Sequence, residues 1–127
     1  MENFLDVDLF VDTERFTWEA RFRDITQSAF VGELTGSLQG KIKKTGEVKV
    51  FAIHSSTIEE MLRGKGYGVK MYEMIIRKIF KVWPNAEVHS SSQLNKQSKG
   101  VWESLLRKYD NVKKIGRHYE VRTLTVL

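Results

Sequence analysis

The sequence predicts an α+β domain, a mixed and mostly antiparallel sheet with two main helices, on three observations. The residues from Phe4 to Ile58 favour strands, two later stretches carry helical spacing, and the order is strands, helix, strand, helix, strands. With 127 residues and 41% hydrophobic content, the chain suits one domain, 1–127, around one core.

The elements follow in order. Phe4 to Val11 and Phe16 to Phe22 alternate or nearly so, and turn residues punctuate at Asp24, Gly40 and Lys44-Thr45-Gly46. About four antiparallel strands joined by hairpins are therefore expected, the last from Val48 to Ile58. After Glu59-Glu60-Met61-Leu62 a glycine-rich turn opens a helix over about Tyr67 to Val82. Tyr72, Ile75, Ile76, Ile79 and Trp83 form its apolar face, while Lys70, Glu73, Arg77, Lys78 and Lys81 lie elsewhere. Pro84-Asn85 stops it. Ala86 to Ser92 reads as a short strand running into a polar loop. Ser98 to Tyr109 is the second helix, with Val101, Trp102, Leu105 and Tyr109 on one side. Gly100 weakens it by about 1 kcal/mol against alanine. Asp110-Asn111 turns the chain into a closing hairpin, Val112 to Ile115 and His118 to Val126, bent at Gly116-Arg117.

Composition narrows the function. The chain has no cysteine, which excludes disulfides, thiolate metal sites and a cysteine nucleophile. No metal ligands are assigned, and Met61, Met71 and Met74 read as core filling. Met1 to Phe10 is acidic and no apolar run reaches the ~18 to 20 residues of a membrane span, so a cytoplasmic protein without a membrane partner is expected. Lys+Arg 21 against Asp+Glu 16 gives +5, which favours acidic partners: coenzyme A, nucleic acid and an acidic protein all fit. Outside Lys41, Lys43 and Lys44 the basic residues are interleaved with acids, which argues against nucleic acid.

The turn Arg63-Gly64-Lys65-Gly66-Tyr67-Gly68 carries the sharpest chemistry. A helix N-terminus offers unpaired N–H groups and partial positive charge to a phosphate. Glycines there let the backbone approach a pyrophosphate, and Arg63 and Lys65 add charge at the rim. A corner that uses glycine for sterics alone would look similar. The Lys-Ser/Thr ending of a P-loop is absent, and several strands precede the turn, against a dinucleotide fingerprint.

That turn matches the Gln/Arg-x-x-Gly-x-Gly/Ala signature of the GNAT superfamily of acetyl-CoA-dependent N-acyltransferases, and Val50 to Thr57 resembles that family's fourth strand. Asn95, Ser98 and Trp102 are similar to a second family segment, and Val112 to Tyr119 to its last hairpin. The resemblance covers about Val48 to Leu127, and the first third matches only as strands. It implies a GNAT-like sheet, acetyl-CoA as cofactor, and transfer of acetyl to an amine on an acceptor that could be a protein. By position it implies that Arg63, Gly64, Lys65, Gly66, Tyr67 and Gly68 hold the pyrophosphate. The strand edge Ser56, Thr57 and Ile58 would pair with the pantetheine arm, Asn95 would hydrogen-bond that arm, and Ser98 would leave it room.

The departures concern catalysis. The family's acid tyrosine matches Trp102, whose indole N–H cannot cede a proton at neutral pH, and Tyr109 lies two turns on. The family's glutamate bases match Ala52 and Ser90. His54, two residues after Ala52 and so on its face of the strand, is the candidate base, against a histidine merely hydrogen-bonded within the sheet. His89 is expected to face the other way, because its neighbour Ser90 matches the catalytic face. Glu59 and Glu60 read as solvated. The family's two helices between the first strands have no room here, so the acceptor side is open or a second subunit, as in a homodimer, walls it. Two readings stand: an N-acetyltransferase, or an acyl-CoA-binding module with weak or no catalysis acting as a sensor or interaction module.

Overall fold

In β1 (Leu5–Asp12) buried Leu5 and Val7 alternate with exposed Asp6 and Asp8, and β2 (Thr17–Asp24) buries Trp18, Ala20 and Phe22 on the same period of two. These strands come from a computed structural model, which describes residues 5–26, 28–41, 48–64 and 66–122. The β1–β2 turn is short because Asp12 Oδ1 accepts from the N–H groups of Glu14 and Arg15, each at 3.0 Å. No helix stands between these strands, as their spacing requires.

β3 (Ala29–Lys41) and β4 (Val48–Ile58) complete the expected antiparallel meander. Gly40 lies within β3 rather than at a turn, while Lys44-Thr45-Gly46 falls outside the described residues. A one-turn 3-10 helix (Glu60–Leu62) leads to α1 (Tyr67–Val82), which Trp83 caps before Pro84. β5 (Glu87–Ser90) then lies parallel to β4, and α2 (Lys96–Lys108), β6 (Val112–Ile115) and β7 (His118–Val121) follow. The sheet order is β1-β2-β3-β4-β5-β7-β6, mixed and mostly antiparallel. Gly116, at φ 62, makes the last bend.

Both helices bury their apolar stripes against one sheet face. Met71, Tyr72, Ile75, Ile76 and Ile79 from α1 join Phe22, Leu34, Phe51 and Ile53 in one cluster, which continues through Trp102 and Leu105 of α2 to Val88, Tyr119 and Val121. Ile75, Ile76 and Ile79 are fully buried, each worth roughly 1.5–3 kcal/mol of apolar transfer. The opposite face is polar, carrying Glu19, Arg21, Thr35, Ser37, His54 and His89. Among the described residues no helix is long and apolar enough to cross a membrane.

Candidate active site

The site originates where two strands part. β4 pairs with β5 only over Val50–Ile53 against Glu87–Ser90, and Ser91 N–H to Ile53 O at 3.2 Å is the last link. β5 stops at Ser90, while β4 runs on from His54 to Ile58, still bonded to β3 on its other side. Those five residues leave a backbone edge with no strand beside it among the described residues.

A bulge sets which side chains this edge presents. Gly36 pairs with Ile53 and Thr35 with Ser55, so His54 is the extra residue. His54 bonds Ser37 Oγ at 2.7 Å and Ser55 bonds Thr35. Ser37 and Thr35 lie two apart on β3, so His54 and Ser55 share the polar face. The insertion therefore turns Ser56 and Ile58 to the helix side, where strict alternation from Ala52 would have faced them outward. Trp18 holds the bulge from below. Its indole N–H donates to Ala52 O at 3.1 Å, and it fits because Gly36 has no side chain: a Cβ there would lie 1.8 Å from Ala52 O and 2.6 Å from Trp18 Nε1.

Tyr72 spans the floor of the gap. Its hydroxyl faces Ser98 of α2 and Ser56 of β4; burial raises its pKa, and these two serines oppose that rise. α1 and α2 also meet at Gly68, where a Cβ would lie 3.1 Å from Val101 Cγ2. That contact leaves a methyl group little room.

The glycine turn closes the other end of the gap. Gly64 and Gly66 have φ 77° and 82°, a left-handed backbone that glycine adopts without strain, and a Cβ at either would meet nothing within 4 Å. Gly66 is the N-cap of α1 and receives no side-chain cap, which leaves the first-turn amides for a ligand. Arg63 Nε donates to Ile58 O at 3.1 Å, tying the turn to the strand end. Turn, strand edge and α2 enclose one cavity of about 460 Å³.

Of the residues read from the sequence as cofactor-binding, Ser56, Thr57, Ile58, Arg63, Gly64, Gly66 and Gly68 line that cavity. Lys65 lies outside the described residues. Tyr67 packs under Lys70 Nζ, 5.8 Å from its ring centre, and is not in the lining. Asn95 is the N-cap of α2, its Oδ1 accepting from Ser98 N–H at 2.8 Å, and this cap starts the helix two residues earlier than its apolar spacing indicates. Ser98 is buried on Tyr72 rather than opening space. Gln97, Gly100 and Ser104 of α2 also line the cavity. Their spacing of three and four marks one helix face, a signal the sequence held but the apolar pattern hid.

His54 is exposed and joins two hollows on the polar face. One, of about 550 Å³, includes Phe10, Asp12, Glu19 and Thr35; the other, of about 280 Å³, includes Ala52, His89, Ser90 and His118. His89 thus shares a face with His54, against the expectation, because the parallel register pairs it with Ala52. Ser90 instead accepts from Tyr119 N–H at 2.8 Å. Trp102 is fully buried, stacked on Tyr119 and edge-on to Tyr72, each at 5.6 Å. Its indole N–H has no partner among the described residues. Tyr109 is held by Glu73 and Arg77. Neither aromatic reaches the gap as an acid. Glu59 and Glu60 are exposed.

No protein-family model matches the chain, and no curated protein sequence does. Solved structures do match. A variant of the AtaT toxin, bound to the C-terminus of the antitoxin AtaR and acetyl-CoA, aligns at TM-score 0.57 and 12% identity, over 93% of this chain and 92% of that one. An aminoglycoside acetyltransferase from an uncultured soil metagenomic sample, in complex with trehalose, aligns at TM-score 0.58 and 11% identity, over 90% and 93%. A GNAT-family acetyltransferase from Bacillus anthracis gives 0.56 and 14%, over 81% of this chain and 64% of its own. The parted parallel strands, the glycine turn and these superpositions together give the chain the fold of the GNAT acetyltransferases.

Proposed function

We propose that the chain is an acetyl-CoA-dependent N-acetyltransferase. The observation that carries this reading is one cavity joining an unpaired strand edge to an uncapped, glycine-led helix start. The residues present fit the cofactor: open space stands where Cβ atoms would block a phosphate, and the edge from His54 to Ile58 offers strand-like pairing to an amide-bearing arm. Bound acetyl-CoA supplies an activated acyl thioester.

The chain's own groups do the rest. The amides after Gly66 and the terminal nitrogens of Arg63 hold negative charge, and the β4 edge fixes the arm. His54, anchored on Ser37, accepts the proton an attacking amine sheds as its C–N bond forms and the C–S bond breaks. With Trp102 buried, the departing thiolate takes its proton from solvent, and rate comes chiefly from positioning. The acceptor approaches over the hollow beside Phe10, where Asp12 and Glu19 favour a cationic amine. Lacking helices between β1 and β2, this side is open and suits a protein tail.

Calorimetry tests the first step, with micromolar acetyl-CoA affinity expected and absence of binding the overturning result. His54→Ala lowers acetylation of a responsive amine about 10²-fold or more with cofactor affinity intact. The second reading, a binding module with weak or no catalysis, is favoured by Ala52, Ser90 and Trp102 standing where relatives have chemistry. Tight acetyl-CoA binding with no His54-dependent turnover on a broad panel of amines and proteins decides for it.

A further inference from the structure

Adjacent strands on the polar sheet face carry a mirrored pattern, Glu87-x-His89 on β5 and His118-x-Glu120 on β7. A period of two puts each pair on one face, and the antiparallel register sets His89 opposite Glu120. The nitrogens and oxygens converge: His89 Nε2 is 2.9 Å from Glu87 Oε1 and 3.6 Å from Glu120 Oε1, and His118 Nε2 is 2.7 Å from Glu120 Oε2. One ligand atom each from His89, His118 and Glu120 lie within 4.8 Å of one another, and the two rings stand 5.6 Å apart.

We propose that this cluster is a divalent transition-metal site of the zinc class, with His89, His118 and Glu120 as ligands, water in the fourth position and Glu87 beside His89. Two imidazoles with one carboxylate suit zinc by type, and three protein ligands with one open position is a pattern zinc sites use. Ligands about 2.0–2.1 Å from a tetrahedral zinc sit about 3.3 Å apart, so the present spacings close by small side-chain rotations. Two carboxylates balance the ion's charge. The side chains are 12–31% exposed, shielded yet reachable from solvent. Arg122 Nε, 3.4 Å from Glu87 Oε2, leaves the other oxygen of that carboxylate facing His89. The metal would clip β5 to the closing hairpin at the lip of the hollow that His54 shares. This inference is independent of acetyl transfer.

The chain has only three histidines, so proton NMR of the imidazoles during titration of EDTA-treated protein with zinc chloride separates the outcomes. The expected result is saturation at one equivalent, with the His89 and His118 signals moving together and His54 unmoved. Calorimetry should give a Kd of about 1 µM or tighter, which His118→Ala or Glu120→Gln weakens by at least about tenfold. Absence of saturable binding up to about 100 µM zinc overturns the site, as does an equal shift of all three histidines or unchanged affinity in both variants. Should a variant not fold, the NMR titration of the unaltered chain decides alone.

Discussion

Tyr72 shows how much one residue can set. It grows from the apolar stripe of α1, yet its hydroxyl faces a serine on either side of the gap, Ser56 and Ser98. Tyr72→Phe keeps the ring and its edge contact with Trp102 but removes the hydroxyl that buried Ser98 and half-buried Ser56 face. An unsatisfied buried hydroxyl costs about 1–3 kcal/mol. Tm should fall by about 3–10 °C in a thermal melt. Because Ser56 lines the cavity, calorimetry should show severalfold weaker acetyl-CoA binding. Unchanged affinity alongside the lower Tm would confine Tyr72 to packing. The residue-scale facts legible in the sequence were those of period two and of glycine chemistry: the face of His54 and the left-handed turn at Gly64 and Gly66. The bulge at His54 was not legible, since no residue type in His54-Ser55-Ser56 marks an inserted register. His89 was misplaced because its facing was inferred from Ser90, whereas the register with Ala52 decides it.

At the scale of elements, β4 and α1 were readable to the residue, since a turn, a periodic stripe and Pro84 bound them. α2 was less so, because its apolar spacing begins at Ser98 whereas the Asn95 cap starts the helix at Lys96. Two glycines near the α1–α2 contact separate packing from binding. Gly100 lies inside α2 and a Cβ there meets nothing within 4 Å, so Gly100→Ala should stabilise the helix by about 0.5–1 kcal/mol. The same methyl enters the cavity lining, so acetyl-CoA affinity should fall while Tm rises. Gly68→Ala brings its methyl to 3.1 Å from Val101 Cγ2, which must yield by a few tenths of an ångström, so its gain in Tm should fall short of that of Gly100→Ala. Melting curves and calorimetry on the two variants test the pair. A fall in Tm for Gly100→Ala would show that Gly100 is not open space.

Across the whole molecule, the carboxyl and phenol groups held by burial and hydrogen bonds fix how stability depends on pH. On the helix face burial alone would raise the pKa of Glu73, but hydrogen bonds from Lys108 and Tyr109, with the charges of Lys108 and Arg77, bring it below the ordinary 4.5. The Tyr119 hydroxyl lowers Glu103 and the His118 bond lowers Glu120 in the same way. A carboxyl depressed in the folded state adds stability above its unfolded pKa and loses it as pH falls through the folded one. The phenols have the opposite sign. Burial, then the Glu103 bond, pushes Tyr119 up to about 12, and burial first also raises Tyr72 and Tyr109 above 10.0. The Glu73 bond raises Lys108 above 10.5. These groups add stability below their unfolded values and lose it as pH rises through the folded ones. Urea unfolding should therefore give a plateau from about pH 5 to 9, falling on both sides. The alkaline limb is clean to read, since no cysteine ionises there. A midpoint constant from about pH 9 to 12 would show that Tyr72, Tyr109 and Tyr119 are not held neutral by the packing. Tyr72→Phe should flatten part of that limb, tying the gap floor to the stability of the whole sheet.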